Sequence, residues 1–86
     1  MSNAGLVDAA KSLDALAAGI KPNRAEVISG ALALNTLPVA NRVRNDLQLA
    51  AMGLDILAIS GNLDLDDVGR CYAGKLAEAV RKLIAT

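Results

Sequence analysis

Residues 49–59 read LAAMGLDILAI, and Asp55 carries the only polar side chain among them. An amphipathic helix at a protein surface turns a wet side outward every third or fourth residue. This one barely does. Leu47, Ala50, Leu54 and Leu57 recur at helical spacing and make one apolar stripe. Leu49, Met52, Ile56 and Ile59 make a second, displaced around the same helix. The fold follows from asking what could keep both stripes dry.

Outward from that stretch, the periodicity is helical nearly throughout. Leu6, Ala9, Leu13, Leu16 and Ile20 recur at steps of three and four, with Asp8, Lys11 and Asp14 between them. That first helix ends where Gly19 can take the left-handed cap and Pro22 forbids continuation. Asn23, three residues before Glu26, opens a short second helix carrying Val27, Ile28, Ala31, Leu32 and Leu34. Pro38 would cost about 3 kcal/mol inside a helix, so a fresh third helix is expected there rather than a kinked continuation. It carries Val39 and Val43 into the Leu47–Leu57 stripe and stops at Ser60–Gly61–Asn62.

The fourth start has the fullest set of signals. Asp64 reads as the N-cap with Asp67 at the third helical position, and Leu63 and Val68 as a hydrophobic staple across it. Leu65, Val68, Tyr72, Leu76, Val80 and Leu83 then form the buried stripe. Asp66 and Asp67 at its head and Arg81 and Lys82 at its tail suit the helix dipole. No alternating run of β-branched residues occurs, and short loops between helices favour antiparallel neighbours. The expected fold is all-α: a small antiparallel four-helix bundle, helices at roughly 4–18, 24–35, 38–59 and 64–85, in one domain spanning 1–86. Residues 1–4 carry no weight, because Ser2–Asn3–Ala4 can be an expression scar.

Composition makes that core thin. The 86 residues include 17 Ala and 14 Leu but no Phe or Trp, and Tyr72 is the only aromatic. Small side chains let helices approach closely but bury little area each, at about 25 cal/mol per Å². In a four-helix bundle every helix keeps an outer face, so the second stripe on the third helix cannot be enclosed by its own chain. A contiguous patch of large apolar side chains usually marks an interface. Leu49, Met52, Gly53, Ile56 and Ile59 are therefore the expected interface residues, in a homodimer and toward a protein partner. Gly30, Gly53, Gly69 and Gly74 all fall inside helical segments, each costing up to about 1 kcal/mol relative to Ala. Gly53, between the two stripes, is the expected point of close backbone approach.

Nine basic and nine acidic residues cancel, so no bulk field recruits nucleic acid or an anionic membrane. Charge is nonetheless segregated. Between Lys21 and Arg44 there are four bases and one acid; between Asp46 and Asp67, five acids and no base. A hairpin of the third and fourth helices would gather Arg42, Arg44, Arg81 and Lys82 into an anion-facing patch, with Lys21 and Arg24 near the acids at the other end.

Catalytic signatures are missing. There is no histidine, which removes most general-base and metal-ligand schemes. Cys71 has no second thiol or His and reads as buried filler. Asn62, Asp64 and Asp66 imitate the opening of a calcium loop, but Asp67 replaces its glycine and Ala73 its bidentate glutamate. Neither enzyme, cofactor, metal nor nucleic-acid binding is expected. Gln48 and Asp55 interrupt the best apolar run, so no spanning helix is expected either, and the default address is cytoplasmic. The expected function is a non-catalytic interaction module acting as an adaptor, regulatory subunit or inhibitor. The alternative is a binder of a small apolar ligand in an Ala/Gly-rich helical core.

Overall fold

In the computed structural model, which describes residues 3–38 and 45–85, α1 covers Ala4–Ala18. Leu13 and Leu16 turn inward from it with Ala9 and Ala10. Gly19 takes the left-handed conformation at φ 73° and closes the helix. Its N–H donates to the Leu16 carbonyl and that of Ile20 to Ala15, satisfying two carbonyls that a helix end leaves orphaned. Ile20 lies beyond this cap and is exposed, so it does not extend the buried stripe.

Helix α2 spans Arg24–Asn35. The Asn23 side chain accepts from the N–H groups of Ala25 (2.9 Å) and Glu26 (3.2 Å), the cap expected from its position. Val27, Gly30, Ala31 and Leu34 face inward, whereas Ile28 and Leu32 stay exposed. Helix α3 spans Asn45–Ser60, and Gly61, at φ 75°, donates back to the Leu57 carbonyl. Pro38 is not helical. The expected helix start there, together with Val39, Arg42, Val43 and Arg44, lies at or within residues 39–44, outside the described residues.

Helix α4 spans Asp67–Ala85, three residues later than the sequence suggests. Its cap is Asp66, whose carboxylate accepts from the Gly69 N–H at 2.8 Å; Asp64 does not cap it. The reason lies in the preceding connection. Without helical twist between 62 and 66, Leu63 and Leu65 both pack against the core, while Asp64 and Asp66 stay exposed. Leu65 folds over the first turn, where a Cβ at Gly69 would stand 3.1 Å from it. The Leu63–Val68 staple therefore does not form, and Val68 is 77% exposed. The buried face of α4 is Ala73, Leu76, Ala77, Ala79 and Val80. Alanines toward α1 permit a close helix pair, and Tyr72 and Cys71 are exposed rather than buried.

Four helices, and no strand among the described residues, make up an all-α bundle. Helix α1 is central and antiparallel to both neighbours. On one side Gly5 meets Ala33 and Lys11 lies 3.9 Å from Glu26; on the other Ala17 meets Gly74 and Asp14 holds Arg81. At Gly30 α1 and α2 come very close, and a Cβ would stand 2.6 Å from the Ala9 Cα. Helix α3 closes the bundle against α2, where Asn35 Nδ2 donates to Asp55 at 2.9 Å. Its packing on α4 is much sparser and leaves a seam between them.

Candidate docking surface

The two stripes of α3 go to opposite places. Leu47, Leu54 and Leu57 are no more than 6% exposed and sit in the core. Leu49, Met52, Ile56 and Ile59 are 40%, 54%, 49% and 87% exposed, forming an apolar ridge along the outside of the same helix. Among the described residues, no charged side chain interrupts that ridge. Asp55, within the same stretch, turns toward α2 and Asn35. Gly53 lies beside the ridge with open space around it: an added Cβ would meet nothing within 4 Å. The glycines that admit a neighbouring helix most closely are Gly30 and Gly5, where α1 and α2 nearly touch.

Beside the ridge, the seam between α3 and α4 opens into an apolar trough of about 480 Å³. Leu49 and Gly53 form one wall, and Val68, Tyr72 and Leu76 the other. Leu13 and Leu16 of α1 lie at its floor, Leu63 and Leu65 at one end, and Asp66 is the only charged lining residue among those described. Leu49 and Gly53 thus belong to ridge and trough alike, which makes the apolar surface continuous. The trough was hidden from sequence periodicity because Val68 and Tyr72 share the stripe of the buried Leu76 and Val80 but lie where α3 packs only sparsely on α4.

A second depression, about 500 Å³, lies at the same end of the bundle between the loops at 19–22 and 61–65. Lys21, Asp64 and Arg70 line it together, and Arg24 approaches Gly61, so basic groups do collect near the acids there. Asp67 lies 3.7 Å from Arg70. At the opposite end the proposed anion patch is only half placed. Arg42 and Arg44 are outside the described residues, and Arg81 is engaged by the Asp14 carboxylate. That hydrogen bond raises the Arg81 pKa above its usual value despite partial burial, so its charge is permanent but already matched. Lys82 follows it in sequence and is exposed.

Among the described residues, no group of three His, Cys, Asp or Glu side chains is placed to hold a metal ion. None of their buried side-chain nitrogens or oxygens lacks a partner. No described helix is long and apolar enough to cross a membrane. No protein family, curated protein or solved structure matches the chain.

Proposed function

We propose that this chain is a small, non-catalytic α-helical interaction module that self-associates as a homodimer. It would act by docking, as an adaptor, regulatory subunit or inhibitor of a larger assembly. One observation carries the reading: α3 buries Leu47, Leu54 and Leu57 while exposing Leu49, Met52, Ile56 and Ile59 on its other side. An uncharged ridge of this kind gains by leaving water and brings no unpaired charge into a contact. The exposed free thiol of Cys71 suits a reducing, cytoplasmic setting, where it would stay reduced.

The test is Ile56→Asp. Because Ile56 is half exposed, the variant should keep its helical circular dichroism while sedimentation velocity shifts from dimer to monomer. A wild type that sediments as monomer at every concentration removes the homodimer. A second reading, binding of a small apolar ligand, is favoured by the trough, whose volume of about 480 Å³ lies within the roughly 300–1,000 Å³ range of ligand pockets. Native mass spectrometry of the purified chain separates the two: a retained small molecule in one case, multiples of the bare chain in the other.

A further inference from the structure

The ridge is too small to hold a dimer alone. Its four side chains expose little more than the equivalent of two whole residues, roughly 400 Å², whereas a standard interface buries about 800 Å² per partner. The interface has to extend, and although Ile28 and Leu32 of α2 are exposed as well, the apolar surface continuous with the ridge among the described residues lies toward α4. Toward α2 the ridge meets the polar Asn35–Asp55 pair. Toward α4 it runs without interruption into the trough, whose far wall adds the exposed Val68 and Tyr72.

Resting on the reading of the chain as self-associating, we propose that the trough between α3 and α4 is the receptor half of the same interface. The ridge of a second copy seats in it, and a two-fold axis makes the arrangement reciprocal. A closed dimer uses one self-complementary patch on both subunits, and this patch has both a convex and a concave part. Gly53 stands where they join. Its missing side chain, useless to the fold, lets the second α3 approach the backbone at the crossing, as small residues do between packed helices. Asp66 remains at the rim, where the uncharged ridge of the other copy presents no like charge.

Two variants and one spectroscopic signal test this in the full chain. Gly53→Leu adds bulk at the edge of the trough from a position whose Cβ would meet nothing within 4 Å, and Val68→Glu places a charge on a wall residue that the monomer leaves exposed. Each should keep its helicity and weaken self-association at least tenfold in Kd by sedimentation, comparably to Ile56→Asp. Tyr72 is the only aromatic residue, so intrinsic fluorescence reports on the trough alone. Its quenching by acrylamide should fall as wild-type protein concentration rises and stay constant in Ile56→Asp. If both variants dimerise like wild type and Tyr72 is equally quenched at all concentrations, while Ile56→Asp is monomeric, the trough has no part and this proposal is overturned with the dimer intact. A monomeric wild type overturns both. A small molecule retained in native mass spectrometry, with Tyr72 shielded at every concentration, gives the trough to an apolar ligand and overturns the proposal as well.

Discussion

Two glycines in helix interiors carry the same intrinsic penalty and opposite structural meanings. At Gly30 a methyl group would lie 2.6 Å from the Ala9 Cα and 2.7 Å from its nitrogen, and backbone cannot step aside as a side chain can. Gly30→Ala must therefore force α1 and α2 apart, at a cost of about 1–3 kcal/mol or more. At Gly53 the same methyl meets nothing within 4 Å, so Gly53→Ala should instead gain up to about 1 kcal/mol of helix propensity. Urea unfolding followed by circular dichroism, at concentrations low enough to keep the chain monomeric, should move the two midpoints in opposite directions. Equal shifts would mean that α1 and α2 are not in close contact at Ala9.

At the scale of the element, α4 shows what sequence could and could not disclose. Asp66→Ala should cost about 1 kcal/mol by removing the cap on the Gly69 N–H, and Asp64→Ala should cost almost nothing. Thermal unfolding of the two variants decides this, and a larger loss for Asp64 would restore the earlier helix start. The acidic run offers several competent caps, and the local signals favoured Asp64 over Asp66, the cap actually used. The choice was made by Leu63 and Leu65, which reach the core together only from a connection without helical twist. Val68 and Tyr72 of the stripe read from spacing are exposed where α3 packs sparsely on α4, and Cys71, read as buried filler, is exposed too. By contrast, Gly19 and Asn23 were legible because each acts on backbone atoms within four residues of itself. The stripes of α3 were legible as two faces for a similar reason: helical geometry fixes which residues share a side. Gly30 was not singled out, since its meaning depends on Ala9, a residue of another helix. The contrast within α3 is also measurable. Leu54→Ala, at 0% exposure, should destabilise the monomer by about 2–5 kcal/mol, whereas Ile56→Ala should leave it nearly unchanged.

For the whole molecule, the thin alanine-rich core and the exposed ridge predict that stability and association are linked. A chain of 86 residues without Phe or Trp buries modest area per side chain, so a monomer of this kind sits low in the ordinary stability range. Whatever binds the folded state alone stabilises it by mass action, and a second copy does so in proportion to its concentration. The wild-type Tm should thus climb as protein concentration rises, while that of Ile56→Asp stays flat, in differential scanning calorimetry. The chemistry of the contact adds a second constraint. Because, among the described residues, the ridge carries no charge and Asp66 is the only charged group lining the trough, screening by sodium chloride has almost nothing to weaken. Sulfate, excluded from exposed apolar surface, should tighten the dimer and raise Tm further in the wild type than in Ile56→Asp. Association that dissolved in moderate sodium chloride would instead point to the segregated charges near Asp64 and Lys21 as its basis. A wild-type Tm independent of concentration would mean that ridge and trough face water in the folded protein, and that its stability is set by one chain alone.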